Sequence, residues 1–117
     1  MKTALLTLLF ALHLLPSAFS QFVSDVPLKD IDAEYISIDP GGYKSNKVSI
    51  NLDFGQHHVP FSPKERLIKD EGGKPIEFNS MMDALNFLDK FGYELVEVIT
   101  VNTDSSSSSS YILRRKK

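Results

Sequence analysis

Metal binding or acid–base chemistry in this chain would have to start at His57-His58, because the remaining histidine, His13, lies in an apolar leader. Zinc takes three or four ligands converging on one point. Adjacent histidines in an extended segment point to opposite sides of the backbone, so a site would need carboxylates such as Asp53 or Glu65 to complete it. His57 and His58 are therefore weak metal candidates, and a solvated loop is the simpler reading. No cofactor is expected.

Other routes to catalysis are weaker still. Serines abound, but no Gly-x-Ser-x-Gly elbow exposes one of them. Glu94 and Glu97 are an odd number of residues apart, so on a regular strand they face opposite sides and cannot work as an acid–base pair. Asp70-Glu71 lies in a turn-rich stretch, and neither Gly41-Gly42 nor Gly72-Gly73 has the helix and lysine of a phosphate loop. The chain contains no cysteine, which removes thiol nucleophiles, thiolate metal sites and disulfides. The expectation is a protein that is not an enzyme.

The elements that would carry these residues begin after an address segment. Lys2, an apolar run from Ala4 to Leu15, Pro16, and the small residues Ala18 and Ser20 before Gln21 form the layout of a secretory signal peptide over residues 1–20. The run is short for a membrane span, so no stable span is expected after cleavage. Removing residues 1–20 takes Lys2 and no acid from a formal net charge of −2, leaving a mildly acidic domain with no basic field for nucleic acid. The expected location is the periplasm or outside the cell.

Residues 21–33 read as a lead-in arm and 34–117 as one domain. Glu34 to Ile38 reads as a strand, with a turn predicted at Asp39-Pro40-Gly41-Gly42. From Lys47 to Phe54, Val48, Ile50, Leu52 and Phe54 alternate with polar residues, the pattern of a strand with one buried face. Residues 55–77 form a long loop rich in Gly, Pro and charge, which Val59, Phe61, Leu67, Ile68 and Ile76 can pack down. Asn79 or Ser80 can cap a helix whose apolar stripe is Met81, Leu85, Leu88 and Phe91 with Ala84 beside them, and Gly92 is placed to end it.

Glu94 to Val101 is apolar on both sides, with Val96 and Val98 on one and Leu95, Ile99 and Val101 on the other, interrupted by Glu97. That predicts a central strand, or one whose second face is covered by the 55–77 loop or a second copy. Six serines, 105–110, read as a flexible hairpin tip before a last strand at Tyr111-Ile112-Leu113. The basic tail Arg114 to Lys117 keeps that end soluble. The expected fold is α+β, with a four-stranded, mostly antiparallel sheet, one helix on one face, and element order β-β-α-β-β.

Asp53-Phe54-Gly55-Gln56, Phe78-Asn79-Ser80-Met81 with Ala84-Leu85-Asn86, and Gly92-Tyr93-Glu94-Leu95-Val96 together resemble a group of small exported proteins of unknown function from gut-dwelling Gram-negative bacteria. The second half is also similar to short uncharacterised domains in which a helix ends in Gly-Trp-Glu-Leu-Val; Tyr93 stands here in place of that tryptophan. The resemblance covers residues 34–117 and implies a fold but no activity.

These readings converge on an exported, non-enzymatic binding domain. Leu95, Glu97, Ile99 and Val101 are its interface candidates. An envelope component, another protein or a second copy forming a homodimer would be its partner. The alternative is a periplasmic small-ligand or metal-binding protein that uses the 55–77 loop. An exposed apolar patch beside Leu95 and Ile99 would favour the first, and a concave pocket with converging polar groups the second.

Overall fold

A computed structural model of the chain describes residues 20–57 and 63–117. The expected signal peptide lies outside the described residues except for Ser20, as do His58, Val59 and Phe61. Two short strands, β1 (Phe22–Val23) and β2 (Val26–Pro27), form a small ribbon in the arm, and a 3-10 turn follows at Leu28–Asp30. The main sheet is built from β3 (Tyr35–Lys44), β4 (Lys47–Asp53), β5 (Tyr93–Asn102) and β6 (Ser107–Arg115), with helix α1 (Met81–Asp89) between β4 and β5. Its spatial order is β4-β3-β6-β5, and every neighbouring pair is antiparallel. Among the described residues, the α+β class, one α-helix and the β-β-α-β-β order of the main sheet and helix are as the sequence predicts, with β1 and β2 added in the arm.

Alternation places Ile36, Ile38, Val48, Ile50, Leu52 and Leu113 on one sheet face, all buried. Ala84 and Leu88 of α1, Phe78, Ile68, and Val23, Leu28 and Ile31 from the arm complete this core. The arm is thus part of the folded domain, because its three aliphatics are buried with the sheet. Helix α1 starts where Ser80 Oγ accepts from the Asp83 amide at 3.1 Å, while Asp83 Oδ2 accepts from the Asn79 amide at 3.0 Å. It stops at Gly92, whose φ of 88° is left-handed.

Three local expectations are corrected. The turn predicted at Asp39–Gly42 is absent: β3 runs on to Lys44 with a register shift between Pro40 and Gly42, and the chain reverses at Ser45-Asn46, with φ of 50° and 65°. Two consecutive left-handed residues match the twist of a tight hairpin, and asparagine tolerates that region. Pro40 is accommodated because β3 has already left β6, their pairing ending at Ile38 opposite Tyr111. The serine run is not a loose tip either. Ser107 to Ser110 pair with β5, from Asn102 opposite Ser107 to Ile99 opposite Ser110. The hairpin closes through Thr103 and Ser106, whose backbone bond is 2.7 Å.

The third correction concerns β5. Among the described residues it is an edge strand with β6 as its one neighbour in the sheet, not a central strand. Its two-sided hydrophobicity does not reflect two-sided burial. A helix of nine residues spans about 13 Å, whereas a ten-residue strand runs about 33 Å. The helix therefore covers the root of β5 at Tyr93 and leaves Glu94 to Asn102 exposed.

Candidate interaction edge

The two edges of the sheet differ. Along β4 the chain covers itself: Val48 and Phe78 exchange backbone bonds of 2.8 and 2.7 Å, and the Ile68 amide donates to the Ile50 carbonyl at 2.9 Å. Lys69 in turn exchanges bonds of 2.9 and 2.8 Å with Phe22 of the arm. The described part of the 55–77 loop therefore lies outside β4, with three strands between it and β5. Leu67 and Ile68, two of the residues expected to cover the β5 face, are buried at β4 instead, and Phe61 lies outside the described residues.

Along β5 no other described strand pairs the outer side. Leu95, Val96, Val98, Ile99 and Val101 are between 44% and 56% exposed, five large aliphatics on one strand. An exposed edge that is long and apolar is a ready template for another strand, and clustered apolar surface of this kind marks interaction sites.

A bulge changes which residues share a face. Leu95 lies opposite Leu113 but Glu97 lies opposite Ile112, so Val96 is an extra residue in β5. Leu95 is therefore on the core side of the sheet with Tyr93 and Leu113, while Ile99 and Val101 lie on the other side with Glu97. The predicted single face of Leu95, Ile99 and Val101 is split by one residue of register. The same shift puts Glu94, opposite Arg114, and Glu97 on one face, where strict alternation separates them. Both glutamates are exposed on open sheet surface.

At the root of β5, Tyr93 is buried and holds three segments together. Its hydroxyl donates to the Ala33 carbonyl at 2.6 Å, and Arg115 Nη2 donates to the hydroxyl oxygen at 2.9 Å and also to the Ile31 carbonyl. The guanidinium carbon lies 5.1 Å from the ring centroid. Glu34 and Gly92 carbonyls accept from the Arg115 and Lys116 amides, each at 2.8 Å. The arm and the helix end are thus tied to the β5–β6 root, and the exposed part of the ribbon springs from a rigid base.

Burial pushes the Tyr93 hydroxyl above its ordinary 10.0, with the charge and hydrogen bond of Arg115 pulling down. A raised folded-state value means the folded state holds its proton when the unfolded state has lost it. That stability is complete below about pH 10 and is lost as pH rises through the folded value. Tyr93→Phe is therefore expected to flatten the decline in stability as pH rises above about 10, read as urea midpoints against wild type. Parallel declines in the two proteins would show that the hydroxyl does not titrate with unfolding.

The other sequence candidates are not brought together. His57 is exposed, and Asp53 is exposed with Oδ1 accepting from the Gly55 amide at 2.8 Å. The Glu65 backbone carbonyl accepts from the Ser24 amide at 3.1 Å. Among the described residues, no three His, Asp or Glu side chains are grouped to hold a metal. No described helix is long and apolar enough to cross a membrane. Asp39, on the outer sheet face, has its carboxyl pushed up from the usual 3.8, first by burial; Arg66 opposes this and Asp53 adds to it. Open grooves run beside the loop, one lined by Phe22, Asp25, Glu65, Lys69 and Asp70, the other by Tyr43, Lys47, Asp70, Lys74 and Glu77. Their charges are mixed, and their walls join strand ends to the turn at residues 69–75.

Sequence reasoning missed the bulge at Val96 and the Arg115 contacts. Two apolar residues flanked by glutamates carry no bulge signal, and a basic tail residue reads as solvated. The motif residues of the resemblance have structural jobs: Gly55 and Gly92 take φ of 95° and 88°, Gln56 Nε2 donates to the Leu52 carbonyl at 2.9 Å, and Ser80 caps α1. Compared with protein-family models, curated proteins and solved structures, the chain matches none.

Proposed function

We propose that this chain is an exported, non-enzymatic binding domain whose working element is β5. The observation that carries the reading is the contrast between the edges: among the described residues, the chain pairs its own β4 and leaves β5, with five half-exposed aliphatics, open. Burying the remaining exposed half of such a side chain would contribute about half of the 1.5–3 kcal/mol of full burial. The ribbon projects this strand from the base that Tyr93 and Arg115 brace, which suits strand addition to a protein or envelope component.

The reading is tested by comparing wild type with Ile99→Asp as immobilised baits against the envelope fraction of the native cell. The expected result is a protein or envelope component retained by wild type and lost in the variant, with both baits folded by circular dichroism. Identical retention by the two would remove β5 from any binding role.

A further inference from the structure

We infer that the turn at Asp70-Glu71 is a docking site for the chain's own α-amino group once residues 1–20 are removed, and that it shields Gln21 from cyclisation to pyroglutamate. This rests on the export reading above, through cleavage before Gln21, and adds what becomes of the new terminus.

The backbone fixes where that terminus lies. The Gln21 carbonyl accepts from the Leu28 amide at 2.8 Å, and Phe22 exchanges bonds of 2.9 and 2.8 Å with Lys69, the residue before the turn. Both anchors are made by groups that remain after the cut. The Gln21 nitrogen is thereby kept at an open groove lined by Ser20, Gln21, Asp70, Glu71 and Gly72. In the uncut chain the Ser20 amide already donates to Glu71 Oε1 at 3.1 Å. The Gln21 nitrogen lies one residue further on, at most about 3.6 Å along the backbone, and the exposed Glu71 side chain is free to follow it.

Charge selects the occupant. Asp70 is committed to the turn, its Oδ1 accepting from the Gly72 and Lys74 amides at 2.9 and 3.0 Å. The Glu71 carboxylate has the Ser20 amide as its one hydrogen-bond donor among the described residues. Asp25, Glu65 and Lys69 line the adjoining groove with Asp70 and Glu71, and Lys74 closes the turn. Carboxylates therefore outnumber ammonium groups around Glu71, which favours a further cation there. Cleavage supplies one: the Gln21 nitrogen is neutral within a peptide bond, whereas a freed α-amine is protonated below its ordinary value of about 7.7–8.0.

Holding that proton has a chemical consequence. Cyclisation forms a bond from the neutral α-nitrogen to Cδ of the Gln21 side chain and breaks the Cδ–Nε2 bond. One hydrogen of the α-nitrogen leaves with Nε2 as ammonia, and no oxidant or reductant takes part. An ammonium has no lone pair with which to attack. A carboxylate beside it favours the charged form, so less of the amine is able to react at neutral pH.

A chain beginning at Gln21, which holds every described strand and helix, is kept folded at pH 7 and followed by intact mass for loss of ammonia. Wild type is expected to cyclise at least about threefold more slowly than Glu71→Gln, which keeps the shape and removes the charge. High salt should narrow that gap. An NMR titration of the α-amine should give a higher pKa in wild type than in Glu71→Gln. Circular dichroism checks that the variant folds, as expected for a change at an exposed turn. Equal cyclisation rates, or an amine pKa indifferent to Glu71→Gln, overturn the inference.

N-terminal analysis of the exported protein separates this inference from the reading beneath it. A chain that starts elsewhere than Gln21 removes the cleavage and the docking together. A chain that starts at Gln21 but cyclises as fast as the variant removes the docking alone. Binding through β5 fails separately, if envelope capture is independent of that strand.

Discussion

Leu88→Ala should destabilise the domain by about 2–5 kcal/mol, the range for truncating a buried leucine where the surroundings cannot fully collapse. Leu88 is 1% exposed and faces the sheet from the last full turn of α1, with Ala84 one turn earlier on the same side. Collapse is restricted because α1 is held at both ends: the Ser80–Asp83 cap fixes one, and Gly92, whose carbonyl accepts from the Lys116 amide at 2.8 Å, fixes the other. In a domain of this size each kcal/mol lowers Tm by about 4–8 °C. Ser106→Ala is the control. Ser106 is exposed at the β5–β6 turn, where its hydroxyl meets Thr103 Oγ1 at 2.9 Å, so its loss should cost less than about 1 kcal/mol. Equal losses in urea denaturation would mean that α1 does not press Leu88 into the core.

Gly41→Ala should cost about 1–3 kcal/mol, as forced overpacking does. The reason is steric alone, because the left-handed glycines are Gly55, Gly73 and Gly92 and Gly41 is not among them. A Cβ at Gly41 would stand 2.4 Å from Leu67 Cδ2 and 3.3 Å from Asn51 Oδ1. Leu67 is itself buried, and its strand bridge to Asn51 holds its backbone against β4, so the side chain has little room to withdraw. The decisive measurement is a double-mutant cycle. In a Leu67→Ala background the same glycine substitution should be nearly neutral. A cost that persists there would place the clash elsewhere and would loosen the case that residues 67–68 close the β4 edge.

Much of the fold was legible because its signals are local. The alternation from Val48 to Leu52 sets one buried face whatever lies beside the strand, and the Ser80 cap, the Leu88 stripe and Gly92 define a helix within a dozen residues. The candidate edge was legible only in part. The apolar excess of residues 95–101 is visible in the sequence, but its meaning depends on where β5 sits and how it is registered. A single extra residue at Val96 moves every following side chain to the other face, and nothing in Leu95-Val96-Glu97 announces it. Ser107 to Ser110 have weak preference of their own and become strand because β5 offers them a ladder. Arg115 reads as a tail cation until the carbonyls of Ile31 and the hydroxyl of Tyr93 are seen around it.

The amino-acid sequence by itself determined the order of the four main strands and the helix, the lack of any cysteine chemistry and the one-sided core, since each depends on residue type and short-range spacing. Tertiary structure alone decided the strand order β4-β3-β6-β5, and with it which edge the described residues cover and which they leave open. Strand order is a long-range property: it depends on residues 67–78 returning to β4 and on the short α1 reaching only the root of β5. The same apolar strand would be core at the centre of the sheet. At its edge, beyond the reach of the helix, it is surface.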